Sequence, residues 1–595
     1  MSGKRDPILI FSQLGSLALM AYLIASHEWT FGRLRGIEEQ LQSLQKQVEI
    51  LQSAPRAVGV AELPSDGVEY VPGDLALTTA SKPKGGDLVL ATSSDPQSLN
   101  PITSNDALAS TIAQKCLNSM VGMDPEKLIN APELATSWTL SEDGQSVHFE
   151  LRRGIKWSDG KPFSSEDVLF TFNIMMNSRV NAPAIQSYFK DFKSIEKKGD
   201  HAIVIHWKKK YFKMLDMVGR RGILPAHYYR KKYGLGDETS EAFADAFNKD
   251  NHLPSTVTGP FKFSKWETGQ KVTLERNPLS WQKGLGNFDR LIYKVIRDRT
   301  AMRQQLKNGD IQNMSFSVQE YLDDRESPLI KKNYHIHDYY MASYSYIGYN
   351  MRKPQFSDAK VRKAFTHLMD REGIVKEIIH GYGKVVTGPF FFDTDFANPN
   401  ITPIKKDVDL ALGLLKEAGW EDRNSDGLLR NAEGKTLSMK VITGIGNPER
   451  EQAARLFVEA CQRVGIDASF QYLEWSVLLD RVDNHEFDAV ILGWRMGVKD
   501  PDPYQLWHSS QTKKDGSNFV GYVNEEVDRL IEENRECFDR KRRVEICHRI
   551  HEILHRDQPY TFLYSRKSFV PIHKSIQNQK VYPIGVRSDE WHYLK

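Results

Sequence analysis

Three stretches of this 595-residue chain set chemically capable side chains at spacings that would let them act together. In HEILH, His551 to His555, two histidines stand four residues apart. A helix would put both on one face, where imidazoles bind zinc and Glu552 would act as general base for hydrolysis. A third ligand would have to come from His573, Glu590 or His592. The same segment carries an apolar stripe of Val544, Cys547, Ile550 and Leu554, so solvated histidines on an ordinary packing helix explain the motif without a metal. In DRNSDGLLRNAE, Asp422, Asn424, Asp426 and Glu433 have the spacing that wraps oxygens around calcium. The following KTLSMKVIT reads as a strand, not as the outgoing helix of an EF-hand, which leaves a structural calcium or a plain Asx-rich turn. The third stretch is FDAVILGWRMGVKDPDPYQLW. Trp494 and Arg495 close an apolar run, and Asp500-Pro501 and Asp502-Pro503 stiffen the segment after it. Either this is a rigid turn, or a strand ends at a cleft and offers a ligand an aromatic face, a guanidinium and carboxylates.

Other chemistries find no footing. No GxSxG, Walker-type loop or dinucleotide fingerprint follows a suitable strand, and four dispersed cysteines without a CxxC indicate neither a disulfide framework nor a cysteine zinc site. Eighty basic against 77 acidic residues, with no basic stripe interleaved with aromatics, argue against nucleic acid as a partner.

The elements that must position such residues are legible in outline. The length exceeds what one hydrophobic core supports, so two or more lobes are expected. From Pro7 to His27 no side chain is charged, and about twenty residues suffice for one membrane span. No small-x-small cleavage site follows. Lys4 and Arg5 before the span favour a cytoplasmic amino terminus and an exported body, while Arg33 and Arg35 beyond it pull the other way. Leu34, Ile37, Leu41, Leu44, Val48 and Leu51 form a heptad seam of about three repeats, which predicts a self-associating stalk. Residues 54–85 read as a linker. The body then mixes strands and helices: Val147, Phe149 and Leu151 alternate, Ser164 to Asp167 looks like a capping box, and DAKVRKAFTHLMDREGIVKEII and DLALGLLKEAG have helical periodicity. The expected class is α/β.

The stretch APELATSWTLSEDGQSVHFELRRGIKWSDGKPFSSEDVLFTF, Ala131 to Phe172, resembles the bacterial extracellular solute-binding proteins of the oligopeptide, dipeptide and nickel class. TGPFKFSKWETGQKVTLERNPLSW, YIGYNMRKPQFSDAKVRKAFTHLMDREGIV, LLKEAGW and FDAVILGW match in the expected order, so the resemblance runs from about Gly86 to the carboxyl end. It implies the large two-lobed periplasmic-binding fold, with residues 86–122, 208–318 and 566–595 in lobe I, 123–207 in a small subdomain and 319–565 in lobe II. Ahead of these would come the anchor (1–33), the stalk (34–53) and the linker (54–85). It further implies a non-catalytic protein without cofactor that closes on a peptide or peptide-like ligand and serves the permease subunits of an ABC importer from outside the inner membrane. Binding a nickel complex or another small solute, or zinc peptidase chemistry at HEILH, are the alternatives. The resemblance puts Trp494 in the ligand wall, with Trp475 and Tyr188 as further candidates. Peptide binders of this type commonly carry an aspartate three residues after that tryptophan to hold the peptide's ammonium; here the position is Gly497, followed by the acidic-proline pair at Asp500.

Overall fold

Successive residues of the apolar run Ala489–Leu492 are buried on opposite sides of one sheet. Ala489 and Ile491 pack into one core, whereas Val490 and Leu492 pack into another. A strand covered on both faces has no reason to alternate with polar residues, which is why the run reads as continuously apolar. Its five-stranded sheet has the order Asp467–Leu473, Ser438–Gly444, Ala489–Arg495, Ser343–Tyr349, Tyr560–Phe562. The first three strands are parallel and the fourth runs antiparallel to its neighbours. Helix Pro448–Arg463 makes the crossover between the first parallel pair and buries Ala453, Ala454, Phe457, Val458 and Cys461.

This computed structural model describes residues 85–593 except 105, 423 and 515. They belong to one unit, Asp66–Lys595. The expected membrane span, heptad stalk and most of the linker lie outside the described residues. Among the described residues no helix is long and apolar enough to cross a membrane.

A further core, running from Leu88 to Tyr293 and rejoined by Val570 to Trp591, lies under two four-stranded sheets. One pairs Asp87–Thr92 in parallel with Arg290–Val295 and continues through the hairpin Lys271–Arg276 and Phe261–Glu267. The other is antiparallel, in the order Ala135–Leu140, Ser146–Leu151, Ala202–Trp207, Phe192–Lys197. Val147, Phe149 and Leu151 are buried as their alternation predicts. The adjoining helix Ser165–Met176 opens with the expected capping box of Ser164 and Asp167. The chain passes between this core and the next from Tyr293 to Ile296 and again within the strand Tyr564–His573, where Phe569 belongs to one core and Val570 to the other. One expected helix is interrupted. Ala359–Leu368 ends at an extended Met369, because Asp370 accepts a hydrogen bond from the Gly373 amide at 2.7 Å and starts a new helical segment.

Candidate functional site

All three parallel strands of the five-stranded sheet deliver their carboxyl ends to one cleft, the place where open α/β sheets bind ligands. Ser438–Gly444 leads through Asn447, whose side chain caps the next helix by accepting from the Arg450 amide at 3.0 Å. Asp467–Leu473 leads to Trp475, the first residue of the helix Trp475–Asp483. Ala489–Arg495 ends in Trp494 and Arg495, paired across the sheet with Tyr344 and Ser343. The cleft encloses about 250 Å³, and Arg450, Trp475, Trp494 and Arg495 line it together with Glu449, Tyr564 and Arg566.

Trp494 is half-buried and held in an aromatic stack. Its ring lies nearly parallel to Tyr346 with centroids 6.4 Å apart, Tyr346 stacks on Tyr560 at 4.0 Å, and the indole N–H points at the Tyr560 hydroxyl at 3.4 Å. Trp475 is 55% exposed and lies against Gly444. Gly493 fits for a local reason: a Cβ there would stand 2.4 Å from Arg450 Nη2 and 2.9 Å from the Tyr344 carbonyl oxygen. The glycine of the GW pair thus lets a guanidinium lie on the strand. Sequence reasoning misses Arg450, although a signal exists. It sits in the first turn of a helix, where the macrodipole disfavours a cation and where Glu449 and Glu451 are the expected residue type.

Of the six sequence-derived ligand residues, Trp494, Arg495 and Trp475 meet at this cleft, and Gly497, Asp500 and Tyr188 do not line it. The Tyr188 hydroxyl donates to the Gln505 side chain. Gly497 is exposed in the loop. Asp500 accepts from Arg543 at 2.7 Å, and Asp502 accepts from the Tyr211 hydroxyl at 2.7 Å with Arg535 3.2 Å away. Both loop carboxylates are therefore matched with protein cations or donors. Lys499 leaves its own core to reach Asp216 Oδ1 at 3.1 Å and Asn130 Oδ1 at 3.0 Å.

The two metal-like motifs take other partners. His551 is only 1% exposed, so the expectation of solvated histidines is corrected. The buried arc of helix Arg540–Asp557 is wide enough to include it. Its Nδ1 accepts from the Asn398 amide at 3.2 Å, so Nε2 carries the proton and donates to the Thr387 hydroxyl at 3.0 Å. Both ring nitrogens are thereby used. Burial holds the pKa of His551, and that of the half-buried His555, down to about 4. Glu552 accepts from Asn398 at 3.0 Å and pairs with Arg549 at 3.1 Å. In the acidic turn, Asp422 accepts from the Gly427 amide at 3.0 Å, and Asp426 takes both arms of Arg430 at 2.7 Å each. That fork pairing, on a fully exposed group, holds the Asp426 carboxyl down to about 2. Among the described residues no group of three or more His, Cys, Asp or Glu is placed to hold a metal.

Comparison with known proteins agrees with this architecture. The model of the bacterial extracellular solute-binding proteins, family 5 Middle, matches residues 131–516. The oligopeptide-binding protein AppA of Bacillus subtilis is 33% identical over 525 residues, covering 85% of this chain and 91% of the relative. The dipeptide-binding protein of Escherichia coli is 24% identical over 533 residues, covering 86% and 95%. Among solved structures, Bacillus subtilis AppA in complex with a nonapeptide superposes with a TM-score of 0.74 at 30% identity, covering 87% of this chain and all (100%) of that one. NikZ from Campylobacter jejuni in complex with Ni(L-His) superposes with a TM-score of 0.72 at 25% identity, covering 88% and 100%. A cleft at the carboxyl ends of parallel strands, set in a fold that matches these binders over nearly their whole length, places the chain in the family 5 bacterial extracellular solute-binding proteins.

Proposed function

We propose that this protein captures a peptide or peptide-like ligand outside the cytoplasm and hands it to the permease subunits of an ABC importer. One observation carries the reading: Trp494 at the end of one parallel strand and Trp475 just beyond another converge with Tyr564 on a single cleft of about 250 Å³. Aromatic walls supply sequence-tolerant apolar contact, which suits a binder of varied peptides. The relatives named for oligopeptides and dipeptides support the same ligand class. A binding rather than catalytic role is supported by His551, whose ring nitrogens are both committed within the protein. The uncharged segment Pro7–His27 would hold the protein to the inner membrane as a single span, and the seam Leu34–Leu51 would join copies of the chain. A calcium ion at Asp422, Asn424, Asp426 and Glu433 would be structural, and it would have to draw Asp426 away from Arg430.

Mass spectrometry of small molecules released by denaturing the purified protein tests the ligand class. Peptide masses are expected. A nickel chelate or another non-peptide solute in their place would replace the ligand class, and stoichiometric zinc with peptide hydrolysis would replace the binding role.

A further inference from the structure

We infer that the ligand presents a carboxylate to Arg450, and that the cleft selects for this anionic group rather than for a free peptide amino terminus. The inference rests on the peptide-binding reading above and narrows it to acidic ligands. Among the described lining residues the cleft carries three guanidiniums, Arg450, Arg495 and Arg566, against the single carboxylate of Glu449. Glu449 lies 3.5 Å from Arg566, so that pair is matched within the protein. Of the other two, Arg495 is exposed to solvent, and the partly buried guanidinium left over is that of Arg450. Its Nε is buried with no hydrogen-bond acceptor from the protein. Burial draws its pKa below the ordinary guanidinium value by more than Tyr564, Tyr346 and Glu449 raise it.

A desolvated cation without a matching anion is costly, and here the cost is raised by the start of a helix, whose dipole repels positive charge. The strand beneath Arg450 is cut back to glycine at 493, which seats the planar group against backbone. A site that spends stability on an unmatched fork of donors, beside two tryptophans, is built for a planar oxyanion, and a carboxylate fits the fork in two parallel hydrogen bonds. The opposite charge finds no such welcome. Glu449 faces Arg566, Asp500 is held by Arg543, Asp502 by Arg535 and Tyr211, and position 497 is glycine. Among the described residues that line the cleft or follow it in the loop, an ammonium would find no carboxylate that is not already paired. Both sources of a carboxylate in a peptide, an acidic side chain and the carboxyl terminus, share the recognised chemistry.

The test uses the full chain and calorimetric titration with matched probes. Acetyl-Ala-Glu-Ala-amide against acetyl-Ala-Gln-Ala-amide isolates the side chain, acetyl-tri-alanine as free acid against amide isolates the terminus, and free against acetylated amino termini isolates the ammonium. At least one acid should bind about ten- to a hundredfold tighter than its neutral partner. Arg450→Gln should erase that ratio, Arg450→Lys should keep part of it, and Arg450→Met should raise the melting temperature of the ligand-free protein while losing the preference. Equal binding of acids and their neutral partners, or a strong preference for the free amine, overturns the inference and leaves peptide binding standing. If no peptide binds but succinate or citrate does so in an Arg450-dependent way, the peptide reading fails and the anion site stands. If neither class binds, both fall.

Discussion

Burial of His551 couples the stability of the protein to pH. The ordinary imidazole value is 6.5 and the folded value is about 4, so protons bind the unfolded chain more tightly than the folded one. The stabilisation is therefore complete above the unfolded value of 6.5 and is lost as pH falls towards about 4. A gap of this size corresponds to at most about 3 kcal/mol. His548 and His555, on the same helix, push in the same direction, the hydrogen bond to Thr387 opposes them, and the Asn398 amide, by donating to Nδ1, holds the neutral ring. Glutamine can make similar hydrogen bonds without titrating, so His551→Gln should flatten the dependence of the denaturation midpoint on pH between 6.5 and 4. An unchanged slope would show that other groups control acid unfolding. HEILH is legible as a helix, but not as a buried one, because Thr387 and Asn398 lie more than 150 residues away in the chain. The run that ends at Trp494 is legible as a buried strand, but its residues alone leave a rigid turn and a cleft open, and it is the family resemblance that implies a place in the ligand wall. Arg450 shows in the sequence only as a cation in a first helical turn, and its place in the cleft depends on Gly493, which lies beneath the guanidinium and far from it in the chain.

Strands and helices are more legible in the sequence than the loops between them, since period and capping are local properties and a loop takes its shape from distant partners. The hairpin Phe261–Arg276, the capping box at Ser164 and the run Ala489–Arg495 all follow from residues within one element. Residues 496–504 do not. Lys499 meets Asp216 and Asn130, and Asp502 meets Tyr211, all in the stretch of chain that builds the core beginning at Leu88 and none near the loop in sequence. This loop continues directly from the cleft strand and spans to the other core, so its contacts should favour the closed arrangement in which ligand is retained. The Lys499–Asp216 pair is about one-fifth exposed on both sides, which puts it between a surface and a buried ion pair. Lys499→Ala should therefore weaken binding by only about fivefold, mostly through faster release, with little change in melting temperature. Stopped-flow dissociation of a bound peptide would measure it. A release rate equal to that of the natural protein would mean that the contact plays no part in closure.

At the scale of the whole molecule, every buried cluster of the described residues draws on the chain between Leu88 and Trp591. Three such clusters within one stretch of chain are the mark of a body that folds as a unit, and a chain beginning at Gly86 should fold. The heptad seam of that segment, Leu34 to Leu51, has a separate task to perform if it associates: it would hold several clefts side by side at the membrane. About three heptads with mixed Leu, Ile and Val give limited stability and leave the number of strands open, so association should depend on concentration and on each seam residue. Light scattering on the full chain in detergent and on a chain beginning at Gly86 would separate the two parts. The full chain should have a protein mass of two or more copies and the shorter one that of a single copy, while both bind the same peptide equally well. Leu44→Asp with Val48→Asp, which buries like charges in the seam, should bring the full chain down to one copy without changing its melting temperature. Single-copy masses for both chains would remove the stalk as an assembly element and leave residues 34–53 as a spacer between anchor and body.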